Sequence, residues 1–204
     1  MSRVDGPLVN EARIYVKQLL EEKLSAEYLF HSWRHTQKVI ENSLLIGQYS
    51  GLEGEDLNIL QLSACFHDVG YILSNDNHET DSVFIAEEFL RVRQISENVI
   101  KVVSQAILCT RVPQRPADLI SEILCDADLM HFADEDYFEQ MELLRLEWQV
   151  TGKFFFNEYQ FHMNSIEFFN KHQYHTDYGK TILQDKKVAC LRKIQQRVET
   201  LRHS

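Results

Sequence analysis

The sequence predicts an all-α fold, a single helical bundle of about nine helices. Three observations carry that expectation. Glycine and proline supply only 7 and 3 of the 204 residues, too few turn formers for an all-β or loop-rich chain. Apolar residues recur at three- and four-residue steps along most of the chain. No alternating apolar–polar run of useful length interrupts them.

The segments follow in order. Residues 7–24 open at Pro7 and place Ile14, Leu19 and Leu20 among the apolar positions. Residues 32–48 carry Val39, Ile40, Leu44 and Leu45, and stop near Gly47. Residues 55–68 carry Leu57, Leu60, Leu62 and Phe66, with Gly70 expected as a left-handed C-terminal cap. Residues 79–92 hold Phe84, Ile85, Phe89 and Leu90. Residues 96–109 start at Ser96, a good N-cap, and align Val99, Val103 and Ile107 on one stripe. After Pro113 and Pro116, segments 117–131, 134–150, 157–172 and 178–202 complete the set. Without a repeat, low-complexity tract or Pro/Ser-rich linker, residues 1–204 read as one domain.

Composition narrows the partners. Hydrophobic residues at 44% and charged residues at 25% exclude wholesale disorder. The net charge of −10 disfavours a nucleic-acid backbone or an anionic membrane as partner, since both need a basic face. It leaves room for a small phosphorylated substrate, because one metal ion and two basic side chains reverse the field locally. Cys65, Cys109, Cys125 and Cys190 form no CxxC pair and lie in apolar stretches, so buried reduced thiols are expected. The N-terminus has no apolar signal core and no run reaches membrane-spanning length, so a cytoplasmic location is expected.

Three places set His or Asp among apolar neighbours: Trp33-Arg34-His35-Thr36, Cys65-Phe66-His67-Asp68-Val69-Gly70 and Leu124-Cys125-Asp126-Ala127-Asp128-Leu129. Adjacent helical residues point about 100° apart, so His67 and Asp68 can share one ion only where the backbone bends at a helix end. Taken alone, the dipeptide is equally a core histidine paired with its own aspartate. Asp126 and Asp128 lie on opposite sides of a helix, so only one faces an interior site. His35 starts a third helix. Two imidazoles with carboxylates suit Mn, Fe, Co, Ni or Zn.

The order His35, His67-Asp68, Asp128 resembles the HD-domain superfamily of metal-dependent phosphohydrolases. The gaps agree, 32 residues from His35 to His67 and 60 from Asp68 to Asp128. So do the contexts. His31 to Thr36 looks like the family's YHxxxHT element, with Phe30 where Tyr is common. Phe66 to Tyr71 looks like HDxGY, and Ala127-Asp128-Leu129 looks like ADxL. The resemblance covers about residues 28–135 as the HD core, leaving about 136–202 as a C-terminal helical part. His78 to Ser82, Thr110 with Pro113 and Pro116, and Phe169 to Thr176 resemble more softly the soluble branch usually called predicted HD phosphohydrolases.

The resemblance implies that His35, His67, Asp68 and Asp128 bind one divalent metal ion per chain (Mn, Fe, Co, Ni, Zn or Mg). Asp126 is then an outer acceptor or a helix cap. Asp68 holds the attacking water, and Glu79 orients it or shuttles its proton, unless Glu79 is only a first-turn helix carboxylate. Arg34, His78, Arg111 and Lys180 are substrate contacts. Arg34 is equally suited to a surface ion pair, and His78 to a second metal or to solvent. His172 and His175 are packing or lid residues. Phe154-Phe155-Phe156 reads as core or dimer surface rather than a base-stacking platform. The implied activity is hydrolysis of a nucleotide-like phosphomonoester or phosphodiester by a metal-activated water, in a monomer or homodimer. Two alternatives remain: a nucleotide-sensing HD module without turnover, and a di-iron HD oxygenase, which needs more His ligands.

Overall fold

In the computed structural model, which describes residues 3–203, nine α-helices and no strands are found among the described residues. They are α1 (Gly6–Lys23), α2 (Trp33–Tyr49), α3 (Gly54–Phe66), α4 (His78–Val92), α5 (Glu97–Cys109), α6 (Leu119–Asp128), α7 (Tyr137–Val150), α8 (Glu158–Lys171) and α9 (Gln184–Arg202). Short 3-10 turns at Val69–Ile72 and Leu129–Ala133 and a π-turn at Gly179–Leu183 join them. No described helix is long and apolar enough to cross a membrane.

Local chemistry sets most of the ends. Asp5 caps α1, its carboxylate accepting from the Leu8 amide, with Pro7 in the first turn. Ser96 caps α5 through the Val99 amide at 3.4 Å. Asp118 and Ser121 form a reciprocal capping box on α6, as do Asn157 and Gln160 on α8. Gly70 departs from expectation. It sits inside the 3-10 turn and is not among the positive-φ glycines Gly51, Gly54 and Gly152. Its value is closeness: its amide donates to Ser82 Oγ at 2.9 Å, bringing the turn onto α4.

Helix α3 lies at the centre. Leu60, Leu62, Ala64, Cys65 and Phe66 are all fully buried, and α2, α5, α6 and α1 pack around them. This core joins helices α1 to α6. A second cluster gathers Phe132, Tyr137, Met141, Phe161, Phe169 and Ile194 from the later part of the chain, and it includes Phe30, which precedes α2, and Leu129, which follows α6. The site described below lies where Phe30 and Leu129 meet that second cluster. The four cysteines are free, three of them buried and Cys109 half-buried.

His172 belongs to this second region. Its ring stacks on Phe168 and meets Phe132 and Tyr174 edge-on, with both ring nitrogens buried and without a hydrogen-bond partner. Burial, helped by the Lys187 ammonium, pushes its pKa down from 6.5 to about 3. A histidine depressed in the fold is protonated first in the unfolded chain, so stability present above 6.5 drains away as pH falls towards 3. The loss attributable to His172 should approach about 1 kcal/mol per pH unit. Denaturation of the wild type and of His172→Phe between pH 7 and pH 4.5 should give profiles that diverge on acidification. Parallel profiles would rule this assignment out.

Candidate metal centre

Three helix ends bring the four side chains together. His35 stands in the first turn of α2. His67 keeps helical angles just beyond α3 (φ −53°, ψ −38°), and Asp68 leaves them (φ −115°, ψ 3°). That bend turns two adjacent side chains towards one point, which a continuing helix forbids. Asp128 is the last residue of α6, where the chain tightens into the second 3-10 turn.

One nitrogen or oxygen from each of His35, His67, Asp68 and Asp128 lies within 4.8 Å of all the others. His35 Nε2 stands 3.3 Å from Asp68 Oδ2 and 3.2 Å from Asp128 Oδ1. His67 Nε2 stands 3.1 Å from Asp68 Oδ2, 3.6 Å from Asp128 Oδ1 and 3.3 Å from His35 Nε2. His67 Nδ1 is 2.9 Å from the Ala64 carbonyl, which accepts its proton and leaves the Nε2 lone pair facing the cluster. Burial opposes charge on all four, yet the carboxylates raise both imidazoles and the imidazoles hold both carboxyls below their usual range. Two soft-to-borderline nitrogens and two oxygens at this spacing fit a divalent ion, which would take the place of the shared protons.

A profile of the HD domain family matches residues 32–133, half of the chain. The chain belongs to the HD domain family. Membership places it in a superfamily of metal-dependent phosphohydrolases. Two crystal structures share the architecture. A protein from Lactobacillus plantarum superposes with a TM-score of 0.73 at 12% identity, covering 98% of this chain and 100% of its own. The Lin1889 protein from Listeria innocua superposes with a TM-score of 0.63 at 18% identity, covering 95% and 97%. At these identities the likeness carries the fold alone. No curated protein matches the chain at a significant level.

The HD cluster opens into a cavity of about 780 Å³, which Asp68 and Asp128 reach directly. Around its polar end stands a stack of three rings. Tyr71 lies 4.0 Å from His78 (13° between planes) and 4.3 Å from His31 (27°). His31 Nδ1 is bonded to Glu147 Oε1, and Glu147 Oε2 accepts from the amides of Phe30 at 2.8 Å and His31 at 3.0 Å. Burial would raise the Glu147 carboxyl, but these three donors hold it below its ordinary value. Helix α7 therefore fixes the segment that leads into His35, and Phe30 packs its ring 4.8 Å from the His35 ring.

The remaining predicted residues divide. His78 Nε2 lies 3.7 Å from Asp68 Oδ1 and 3.5 Å from Glu79 Oε1, outside the four-donor group but against it. Burial holds its pKa below normal. Glu79 is buried in the cavity wall, and Arg111 grips its Oε2 from Nε at 3.2 Å and from the second terminal nitrogen at 3.1 Å. Arg34 is not brought to the cavity: its side chain is 71% exposed and pairs with Asp136 at 3.8 Å. Lys180 is exposed on the π-turn beside a separate hollow near Lys187. Lys153 lines the cavity together with Arg111, and its Nζ donates to Asn75 Oδ1 at 3.4 Å.

Asp126 faces away from the cluster and is fully buried. Its Oδ1 accepts from the His175 amide at 2.8 Å, and its Oδ2 from the Thr176 amide at 2.9 Å and hydroxyl at 2.7 Å. It ties the 172–178 segment to α6. Burial raises its pKa against the pull of those bonds. His131, also in the cavity wall, donates Nδ1 to the Asp128 carbonyl at 3.0 Å and is pushed down to about 4 by burial, so it is neutral. Sequence reasoning missed Glu147 and Lys153, which no local pattern marks. It quoted Tyr71 and His31 within motifs but gave neither a role.

Proposed function

We propose that this protein is a metal-dependent phosphohydrolase whose ion is held by His35, His67, Asp68 and Asp128. The observation that carries the reading is the convergence of those four donors at the polar end of a cavity large enough for one small-molecule ester. A divalent ion bound there supplies Lewis-acid charge for a phosphoryl oxygen and lowers the pKa of a water from 15.7 towards 7.

The chain's own groups then divide the work. Asp68 spans the centre, with Oδ2 towards His35 and His67 and Oδ1 towards His78. Glu79 Oε1, 3.5 Å from His78 Nε2, is free of the Arg111 grip on Oε2 and is placed to accept a proton from the attacking water. His78, kept neutral by burial, donates Nδ1–H to the Asn75 carbonyl at 3.2 Å and presents its Nε2 lone pair beside Glu79. Arg111 and Lys153 line the same end and supply the positive charge that a phosphate oxyanion needs. The polar end recognises the phosphoryl group of a phosphate ester, a nucleotide among the candidates, without selecting its alcohol.

The test is hydrolysis by metal-free protein resupplied with Mn, Co, Ni or Mg, read as phosphate release from phosphomonoesters and as chromatographic product formation from cyclic nucleotides and nucleoside triphosphates. Turnover that requires the ion supports the reading; binding without hydrolysis of any ester favours a sensing module. One transition metal per chain is expected, because His78 and Glu79 offer only two further donors for a second ion. His78→Ala should keep that ion by elemental analysis. Its rate should fall by less than the ~10²-fold that a lost general acid or base costs. Two ions in the wild type, one lost in His78→Ala, would contradict this.

A further inference from the structure

The cavity has two halves of opposite chemistry, and the reading above uses only the polar one. Beyond Asp68 and Asp128 it continues between α7 and α8. Tyr137, Met141, Leu144 and Trp148 recur at helical spacing on α7 and line one wall. Phe161, Ser165, Phe168 and Phe169 line the opposite wall from α8. Apolar stripes on consecutive helices ordinarily close on each other. Here they meet at both ends, Tyr137 against Phe169 and Trp148 against Phe161 with ring centroids 5.4 and 5.6 Å apart, and Met141, Leu144, Ser165 and Phe168 between those contacts line the cavity. The loop between them roofs it: Phe154 and Phe156 stack at 5.3 Å and line the cavity, while Lys153 reaches Asn75 beside His78.

We infer that this chamber takes the apolar body of an amphiphilic phosphoester, an alkyl-, prenyl- or aryl-bearing phosphate whose phosphoryl group lies at the HD cluster. The inference rests on the proposed phosphohydrolase function and names its substrate class. One continuous cavity of about 780 Å³ joins the two ends, so a single molecule spans them. No charged side chain of α7 or α8 lines it. A nucleobase and ribose bring several donors and acceptors that each cost about 1–3 kcal/mol when buried unpaired. The chamber has little to pair with them: Ser165 gives its hydroxyl proton to the Phe161 carbonyl at 2.9 Å, and the Tyr137 hydroxyl, the Trp148 indole N–H and Asn164 are the other polar groups of its helical walls. Methylenes and aromatic carbons need no such partners. Arg111, Lys153 and the ion balance the phosphate at the opposite end.

The test uses the full chain loaded with Mn and n-alkyl phosphonates from ethyl to decyl, which bind without being hydrolysed, measured by calorimetry. Affinity should rise with chain length by up to about fourfold per methylene and exceed that for adenosine and uridine monophosphates. In Leu144→Glu, which sets a carboxylate among those methylenes, the gain with length should collapse. The n-alkyl phosphates are assayed for hydrolysis in parallel. A flat length dependence, no phosphonate binding, or tighter binding of the nucleoside monophosphates overturns the substrate class, while ion-dependent hydrolysis of short esters would still uphold the phosphohydrolase reading. Length-dependent binding with no hydrolysis of any ester supports the chamber's role and overturns catalysis instead.

Discussion

Asp128→Ala is expected to lose the ion and at least about 10³-fold of any metal-dependent phosphate release, well beyond the 10–100-fold typical of removing an outer partner. Its Oδ1 stands 3.2 Å from His35 Nε2 and 3.6 Å from His67 Nε2, so without it the two imidazoles face each other with one carboxylate left. Asp126→Ala should do the opposite. It leaves the His175 amide and the Thr176 amide and hydroxyl without their acceptor. At about 1–3 kcal/mol for each buried group left unsatisfied, the fold should lose on the order of 3 kcal/mol or more. The folded fraction should still bind one ion and turn over. Should Asp126→Ala fail to fold, Asp126→Asn keeps one acceptor oxygen and serves the same comparison. Elemental analysis and denaturation of both variants decide it: an Asp128 variant that keeps its metal, or an Asp126 variant that is stable but metal-free, reassigns the ligand.

That two aspartates only two positions apart face different ways was legible in the sequence, because helical geometry alone sends them to opposite faces. The same local rules gave the helices, since caps such as Ser96 and stripes such as Val99, Val103 and Ile107 act within a few residues. The convergence of His35, His67-Asp68 and Asp128 was legible through pattern and resemblance, not through any force that the sequence displays. Glu147 was not legible. It acts on Phe30 and His31 more than a hundred positions away, and a glutamate in the last turn of α7, between Leu146 and Trp148, carries no mark of those distant partners. The cavity along α7 and α8 was hidden for a related reason: two apolar stripes read identically whether they meet along their whole length or only at their ends. Arg34 and Lys180 were placed by charge and proximity in sequence, but one helical step beside His35 rotates Arg34 to solvent, and the π-turn carries Lys180 to another surface. Gly70 shows an ambiguity of its own. A glycine after a helix is required either for a positive φ or for a close approach, and the sequence looks the same in both cases.

Close approach is the requirement at Gly70, and it makes Gly70→Ala the most damaging single-methyl change expected here. A Cβ at that position would meet the Ser82 amide nitrogen at 2.5 Å, Asp81 Cβ at 2.9 Å, and the His78 carbonyl more tightly still. Two of these three are backbone atoms of α4, so no side-chain rotation relieves them. The first turn of α4 has to move, and the Gly70–Ser82 hydrogen bond moves with it. Overpacking of this kind costs about 1–3 kcal/mol and occasionally more, and rigid backbone on the far side argues for the upper end. That turn carries His78 and Glu79. A shift near 1 Å in catalytic groups is worth about 10²-fold in rate, whereas His35, His67 and Asp128 are anchored on α2, α3 and α6. Gly70→Ala should therefore unfold earlier and turn over slowly while still binding its ion. Gly6→Ala is the matched control: a Cβ there meets nothing within 4 Å, and the backbone is ordinary helix. Its stability should equal or slightly exceed that of the wild type. Thermal denaturation, metal content and rate on the two variants separate these outcomes, and a Gly70→Ala protein as stable and active as Gly6→Ala would refute the close approach of the HD turn to α4.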